Sequence, residues 1–352
     1  MDRIYSTRRQ CISGMAATGL TACLHGAHAQ ESHSVTNRID IHHHFLAPNL
    51  TQRIERVPQT RPILDWAPAK SIEAIDKAGI ATAILSGMTG YDANPPERQE
   101  AAFRARTNND FGAKLVTDYK GRFGLFATLP LPYVDDCLNE IEYALDTLKA
   151  DGVFIWTNYG NRWLGDPAFA RVFEELNRRK AIVLTHPIDA PCCLNLQPDT
   201  TPQTVEWNTQ TSRAIWSILN TGLGTDLAHP SAATRYPDIT FIWPHSGGSL
   251  LGLVGRFVVA DLTAEAEGRT VERNSRLYHL RRFYYDIAAS FNRIQMPALK
   301  ALVGSSQILL GSDAPFGNPQ AVVRGLVTSG FSTSEIRAIQ RDNALKILPR
   351  WR

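Results

Sequence analysis

The sequence of 352 residues lacks the features that mark several classes of protein. Its formal net charge is only +3, so it has no basic excess of the kind that binds nucleic acid. It contains no low-complexity segment, no repeat at solenoid spacing and no apolar run long enough to cross a bilayer as a helix. We therefore expect neither a nucleic-acid partner nor a transmembrane helix. Because 43% of the residues are hydrophobic, the chain can bury a large core, as one barrel-sized domain or two ordinary domains.

Cysteine is also scarce, with five residues in the whole chain. Cys11 and Cys23 fall in an N-terminal segment that reads as a targeting signal. The remaining three, Cys137, Cys192 and Cys193, are odd in number, and neighbouring cysteines rarely pair with each other. We therefore expect no disulfide framework.

The first 29 residues differ from the rest of the chain. A pair of arginines, Arg8 and Arg9, precedes a modest apolar stretch at 12–24, and the segment ends in the small-x-small sequence Ala27-His28-Ala29. This order is typical of a bacterial export signal, and the arginine pair favours the twin-arginine route. An ordinary amphipathic first helix is the alternative, but the segment has no polar stripe at helical spacing.

We accordingly expect an export signal at 1–29, a single domain at 30–352 and a periplasmic location. The sequence Leu-Thr-Ala-Cys that ends at Cys23 also resembles a lipoprotein cleavage site, so a lipid-anchored form is the alternative. Twin-arginine export carries folded proteins, which would suit a protein that loads a metal ion in the cytoplasm.

After the signal, short apolar runs alternate with longer stretches of helical spacing. The predicted strands lie at 38–44, 81–88, 122–130, 152–158, 181–187, 239–246, 283–289 and 307–313. The predicted helices lie at 70–78, 96–119, 134–149, 167–179, 207–221, 247–265, 294–303 and 332–347. Near-continuous apolar strands alternating with helices indicate parallel strands covered by helices. Eight such units predict an α/β fold of the closed (β/α)8 TIM-barrel type. The alternative, an open doubly wound sheet, is expected to have a glycine-rich phosphate-binding turn after the first strand, and this sequence has no such turn there.

Metal-capable side chains stand at four of the eight predicted strand ends. The first strand ends in the triplet 42–44, the fifth in His186, the sixth in His245 and the eighth in Asp313. Active-site residues of such barrels occupy the carboxyl ends of the strands. Each of these motifs taken alone more often serves core packing, forms a turn or occurs by chance. Their combination at four strand ends, however, favours a metal site.

Strand geometry explains the histidine triplet. Residues i and i+2 of a strand face the same side, so His42 and His44 can point into the barrel mouth while His43 points toward the helices. With His186 and Asp313 they form a three-nitrogen, one-oxygen site, which suits one divalent ion. Zinc is the first choice, with manganese or iron(II) as less selective alternatives. Asp40 is expected to support the site from deeper in the strand.

The chain also resembles a known family, the branch of the amidohydrolase superfamily typified by aminocarboxymuconate semialdehyde decarboxylase. The matching pieces span residues 38–317 in order, and they include IDIHHHFLAP, VLTHP, WPHSGGSLLGLVGRF, FYYDIAAS and ILLGSDAPFG. The stretch TNYGNRWLGDPAF, at 157–169, is most similar to members of the 6-methylsalicylate decarboxylase type. Two departures stand out: Ala314, where such enzymes commonly have tyrosine, and the middle histidine of the triplet.

The resemblance implies roles for individual residues. His42, His44, His186 and Asp313 would bind one metal ion, and His245 would act beside it without ligating. Arg256 would reach across a subunit interface to the substrate carboxylate, because these enzymes are usually homodimers or homotetramers.

The resemblance leaves two chemistries open. A decarboxylase would use His245 and Asp313 as proton carriers on a small aromatic or unsaturated carboxylic acid of the salicylate type. A hydrolase, such as a lactonase or amidohydrolase, or a hydratase would use nearly the same residues on a metal-bound water. Two-metal relatives have a modified lysine at the end of strand four, and this chain has none there, which favours one metal.

Aromatic side chains near the predicted barrel mouth could contact an aromatic acid. The candidates for substrate binding, with Arg256, are Tyr159, Trp163 and Phe316. A non-catalytic periplasmic binding protein is a further alternative, although it would not need His245 or Arg256. His229 and His279 fall between elements and are expected to be exposed or locally bonded.

Overall fold

The computed structural model describes residues 37–90, 93–194, 196, 200–220 and 230–352. They belong to the unit Val35–Arg352. The predicted export signal, with Arg8, Arg9 and Cys23, lies outside the described residues, as does His229. Within the described part of the chain, no helix combines the length and the apolar content that crossing a membrane requires.

Eight parallel strands form the centre of the fold, and each pairs with the next along the chain. Backbone hydrogen bonds from Ile41 to Leu310 (3.0 Å) and from Asp313 to His42 (2.9 Å) join the two edges and close the barrel. The predicted (β/α)8 barrel is therefore confirmed. The strands are β1 Arg38–Phe45, β2 Ile80–Gly87, β3 Phe123–Thr128, β4 Gly152–Trp156, β5 Ile182–His186, β6 Thr240–Trp243, β7 Tyr284–Asp286 and β8 Ile308–Leu309.

Helices follow the strands around the barrel. They are α1 Arg61–Leu64, α2 Pro68–Lys77, α3 Arg98–Asp118, α4 Val134–Glu142, α5 Ala170–Arg178, α6 Glu206–Leu219, α7 Ala232–Arg235, α8 Leu250–Phe257, α9 Val259–Ala266, α10 Arg276–Arg282, α11 Gln295–Val303, α12 Pro319–Val327, α13 Thr333–Arg337 and α14 Asn343–Ile347. All eight predicted helices are present. The structure divides the one predicted at 247–265 at Val258 and adds π-helical stretches to those predicted at 134–149 and 332–347. The sequence patterns do not predict the short helices α1 and α7, nor α10 and α12.

The composition of the strands explains why this topology forms. Every residue of β3 and β4 is buried, as expected for strands covered on one side by helices and on the other by the barrel interior. Large side chains, including those of Trp243 and Tyr285, are completely buried in the core. Local signals set element ends: Asp166 accepts a hydrogen bond from the Ala168 amide at the predicted helix start, and Gly79 takes a φ of +63° where α2 ends.

The cysteine prediction needs a correction. Cys192 and Cys193 form a disulfide with each other, in a short 3-10 turn of the loop after β5, and Cys137 is a buried free thiol. The expectation that neighbours would not pair was wrong, because pairing here depends on the local conformation of a loop, which residue spacing does not reveal. The bond joins consecutive residues, so it cross-links no distant parts of the chain.

Candidate metal centre

Four side chains that lie at or just after the carboxyl ends of β1, β5 and β8 meet at one end of the barrel. His42 and His44 project from β1, His186 ends β5 and Asp313 follows β8. Their ligand atoms all lie within 4.8 Å of one another. The three imidazoles are buried and the Asp313 side chain is 18% exposed, so the group is open to solvent only on the aspartate side.

The contacts define where a cation would sit. The Nε2 atoms of His42 and His44 are 2.9 Å apart. Asp313 Oδ1 lies 3.1 Å from Nε2 of His44, 3.4 Å from that of His42 and 3.7 Å from that of His186. Three ring nitrogens and one carboxylate oxygen thus face one point, as the sequence predicts.

The other nitrogen of each ring has its own partner. His42 Nδ1 is 2.8 Å from Asp286 Oδ2, His44 Nδ1 is 3.0 Å from Ser86 Oγ, and His186 Nδ1 is 2.8 Å from the carbonyl oxygen of Pro187. A carbonyl oxygen and a carboxylate can only accept, so Nδ1 of His42 and of His186 carries the proton. In the neutral rings, Nε2 of these two histidines then presents a lone pair to the common point, which is the form that binds a metal.

The hydrogen bonding of two of the four ligand atoms indicates whether a cation fits the site. His186 Nε2 and Asp313 Oδ1 are buried and have no hydrogen-bond partner among the described residues. Buried polar atoms of folded proteins nearly always have partners, and neither of these two offers a proton to the other. A divalent cation satisfies both at once. Three nitrogens and one oxygen are a donor set that zinc accepts and that manganese also uses.

The electrostatics of the histidines differ according to their neighbours. Burial alone would lower the pKa of His42, but the Asp286 carboxylate outweighs it and raises the pKa to about 9. Burial lowers the pKa of His44 and lowers that of His186 to about 3. Burial opposes ionisation of Asp313, yet the surrounding histidines hold its pKa well below the usual range. His44, His186 and Asp313 are thus in their ligand forms at neutral pH, and a cation competes with a proton only at His42.

His245 lies beside this group and outside it. Its Nε2 is 3.5 Å from Asp313 Oδ2, the second oxygen of the carboxylate whose Oδ1 lies near the three histidines, and its side chain is 12% exposed. The two oxygens of Asp313 therefore face different partners, one toward the predicted metal ligands and one toward His245. This placement agrees with the implied role of His245 as a non-ligand.

The backbone around the site is strained. His245, Ser246, Ala289 and Asp313 all have positive φ values, between 53° and 59°. Such conformations cost on the order of 1–3 kcal/mol per residue and persist where the surrounding structure fixes them. Here Asp286 contributes, because its Oδ1 accepts hydrogen bonds from the amides of His245 (3.1 Å) and Ala288 (2.9 Å).

The middle histidine and Asp40 form a separate buried group. His43 Nδ1 is 3.0 Å from Asp40 Oδ2, and His43 Nε2 is 2.8 Å from Ser71 Oγ of α2, so His43 points toward the helices as predicted. Asp40 also accepts hydrogen bonds from the amide (2.9 Å) and hydroxyl (2.5 Å) of Ser312. Asp40 therefore supports the segment that carries Asp313, and it also accepts a hydrogen bond from the backbone amide of His42 (3.2 Å).

Asp286 is the functional residue that the sequence argument missed. It is completely buried and holds both the His42 ring and the His245 backbone. The signal was present, because Asp286 is the last residue of β7 and an acid in an otherwise apolar run. Only the closed barrel shows that this strand end lies next to His42.

A cavity of about 150 Å³ opens onto the metal-binding group. The residues that line it include His186, Gln203, Trp207, His245, Asp313 and Phe316. Of the predicted substrate-binding residues, Phe316 lines this cavity, with its ring centroid 5.8 Å from that of His44.

The other three predicted substrate contacts lie elsewhere in this chain. Tyr159 lines a different cavity, and its hydroxyl accepts a hydrogen bond from the Trp156 amide (3.0 Å). Trp163 lies in a small antiparallel hairpin after β4, formed by Asn158–Tyr159 and Arg162–Trp163, and the guanidinium of Arg213 on α6 lies 5.9 Å from its ring centroid. Arg256 is exposed on α8, where a second subunit could reach it, so its role stays a prediction.

Comparison with known proteins agrees with this geometry. A decarboxylase from Aspergillus niger, yanB, is 32% identical over 338 residues, which cover 90% of this chain and 88% of the relative. The 6-methylsalicylic acid decarboxylase of Penicillium expansum is 30% identical over 326 residues, covering 89% of this chain and 96% of the relative.

A solved structure shares the fold. The dihydroxybenzoic acid decarboxylase of Polaromonas sp. JS666, with bound manganese and the inhibitor 2-nitroresorcinol, superposes with a TM-score of 0.74 at 19% identity, covering 90% of this chain and 98% of that one. The sequence model described as amidohydrolase matches residues 39–350. The chain therefore belongs to the amidohydrolase family.

Proposed function

We propose that the protein is a decarboxylase that uses one divalent metal ion to remove CO2 from a small aromatic carboxylic acid of the salicylate type, without oxidation. The observation that carries the proposal is the divided role of Asp313. One of its oxygens faces the three histidine nitrogens and the other faces His245, at the wall of the same cavity. Similarity to decarboxylases along nearly the whole chain supports it.

His42, His44, His186 and Asp313 would hold the ion. When bound, the ion supplies Lewis-acid stabilisation of negative charge on the substrate carboxylate or a neighbouring hydroxyl. We propose zinc or manganese, because this donor set accepts both and because a protein of the same fold was solved with manganese.

The protein's own part in the reaction is a proton transfer. His245 Nε2 faces the cavity and can donate a proton to the ring carbon that bears the carboxylate. A carbon–hydrogen bond forms, the carbon–carbon bond to CO2 breaks, and its electron pair returns to the aromatic ring. The sum consumes one proton and no reducing equivalent, so the chemistry needs no redox cofactor.

The walls of the cavity favour a flat substrate. Trp207 and Phe316 line it with aromatic rings, and His186, His245 and Asp313 line it with the polar groups of the metal-binding site and its neighbour. Aromatic walls also exclude water, which strengthens the electrostatic interactions of the site.

The test compares two substrate panels on zinc-loaded and manganese-loaded protein. Release of CO2 from salicylate-type acids supports the proposal. Hydrolysis of lactones or amides without CO2 release would contradict it and favour the hydrolase. Tight binding of aromatic acids with no turnover would indicate a binding protein.

We also propose a homodimer or homotetramer in which Arg256 serves the neighbouring subunit's site. In support, α8 is rich in apolar residues yet buries only Leu250, and α9 has no buried residue. Sedimentation analysis of the wild type, with kinetics of Arg256→Ala, tests this. A monomeric active enzyme would contradict it.

We propose export to the periplasm from the signal pattern at 1–29, with a lipid anchor at Cys23 as the alternative. Replacing both Arg8 and Arg9 with lysine should leave the protein in the cytoplasm if the twin-arginine route is used. Mass analysis of the mature protein separates cleavage after Ala29 from lipidation at Cys23.

A further inference from the structure

The metal cavity has a neighbour on its outer side. A second cavity, of about 200 Å³, is lined by the segment around Arg53–Thr60, by Gly90 and by the loop after β5. Two residues, Gln203 and Trp207, line both cavities. They therefore form the partition between the space over the metal-binding group and the space beyond it.

Trp207 is held in this position from two sides. Its indole Nε1 donates a 2.6 Å hydrogen bond to Asp189 Oδ1, and its ring lies edge-on to His186, with centroids 5.9 Å apart and planes at 80°. Asp189 follows His186 by three residues, and its carbonyl oxygen accepts a hydrogen bond from Asn158 Nδ2 (3.1 Å). The residue that holds the indole, Asp189, thus lies directly after β5, the strand that ends in the predicted metal ligand His186.

We propose that Trp207 determines substrate specificity by setting the largest ring substituent that the aromatic acid can carry. This inference rests on the proposed function. Each cavity alone is smaller than the roughly 300–1,000 Å³ of typical ligand pockets, whereas the two joined would reach that range. With the indole in place, the inner cavity takes a single ring with small substituents.

The outer cavity has the chemistry to take a larger substituent once the partition is removed. Ile54 and Val57 contribute apolar surface, and Gln59 and Thr60 contribute polar groups. The charge of Arg53 is already paired with Glu100 at 2.7 Å. The expected occupant is an uncharged alkyl or aryl group on the ring of the same acid.

The experiment measures selectivity. Salicylate and 6-methylsalicylate are the small substrates, and salicylates with a propyl or phenyl group at each ring position in turn are the large ones. In Trp207→Ala, the ratio of kcat/KM for the best large substrate to that for salicylate should rise about tenfold or more. Asp189→Ala removes the hydrogen bond and keeps the indole, so it should shift the ratio in the same direction by less. Trp207→Phe should fall between wild type and Trp207→Ala.

Trp351→Ala is the matched control. Trp351 is also a tryptophan whose Nε1 donates to a buried aspartate, Asp151 (2.8 Å), but that pair lies at the amino end of β4, away from the metal-binding group. Its loss should leave the selectivity ratio unchanged. Metal content of each variant shows that the site has formed.

The outcomes separate this inference from the proposed function. If the wild type decarboxylates salicylates and the ratio stays within twofold in Trp207→Ala and in Asp189→Ala, the inference is wrong and the function stands. If the wild type releases no CO2, calorimetric binding of 2-nitrophenol with and without the same substituents replaces turnover. An unchanged binding ratio, or no binding, then overturns the inference as well.

Discussion

Asp286→Asn removes one charge from the most buried part of the site and keeps the shape of the side chain. Asp286 Oδ2 accepts the Nδ1 proton of His42 at 2.8 Å, and both side chains are completely buried. The Oδ1 of asparagine can still accept hydrogen bonds from the two backbone amides that Asp286 binds. Its amide nitrogen, however, would donate toward His42 Nδ1 and drive the ring proton to Nε2, the atom that must ligate.

The size of the effect follows from the same contact. A hydrogen bond to a charged group is worth about 1.5–3 kcal/mol, and loss of such support to a metal-ligating histidine typically costs about 10–100-fold in metal affinity. That factor corresponds to about 1.4–2.7 kcal/mol, so the two figures agree. We expect Asp286→Asn to weaken zinc and manganese binding within this range. Titration against a chelator of known affinity at neutral pH measures it.

Asp151→Asn is the control for this prediction. Its carboxylate is also buried and binds Trp351 and Arg350, but at the opposite end of the barrel from the metal-binding group. The variant should lower the free energy of unfolding and leave metal affinity unchanged. If Asp286→Asn binds metal as tightly as Asp151→Asn does, the assignment of the His42 tautomer is refuted.

Three further predictions follow from the site and the core. His186→Ala and Asp313→Ala should each lose the metal during purification whereas His43→Ala keeps it, which elemental analysis checks, and full metal in His186→Ala would contradict the ligand assignment. His245→Asn should keep the metal and lose on the order of 10²–10⁴-fold in kcat, because it removes the proton donor and no ligand; an unchanged kcat would exclude that role. Burial lowers the pKa of His279 from 6.5 to about 4, so the unfolded chain takes up a proton first and the free energy of unfolding should fall as the pH drops from 6.5 to 4. His279→Gln should flatten that part of the stability profile measured by urea denaturation, and an equally steep profile would contradict the linkage.

His279 also shows the limit of position in the sequence as a guide to burial. It was expected to be exposed or locally bonded, and it is in fact buried on α10, with Nε2 2.9 Å from Thr234 Oγ1. The histidine is bonded, but to a residue 45 positions away. A contact of this kind depends on how α10 packs and not on its own sequence.

The repeating pattern of the chain was sufficient to predict the barrel. Near-continuous apolar strands must be covered on both sides, and eight of them alternating with helices leave few other arrangements. The alternation of side chains along a strand was sufficient to assign His42 and His44 to one face and His43 to the other, because that alternation is a property of the extended backbone.

Long-range packing decided the features that the sequence did not predict. Asp286 supports His42 only because the barrel closes through β8 and so brings the end of β7 within hydrogen-bond distance of a β1 side chain. Tyr159 lies away from the metal-binding group because the hairpin after β4 turns its hydroxyl back to the Trp156 backbone. Trp207, which no strand-end rule selects, reaches the metal cavity from α6 through its bond to Asp189. Secondary-structure periods and strand-end positions are local properties that a sequence displays directly. The conformation of a loop, and the partner that a side chain finds across it, depend on contacts between distant residues that exist only in the folded chain.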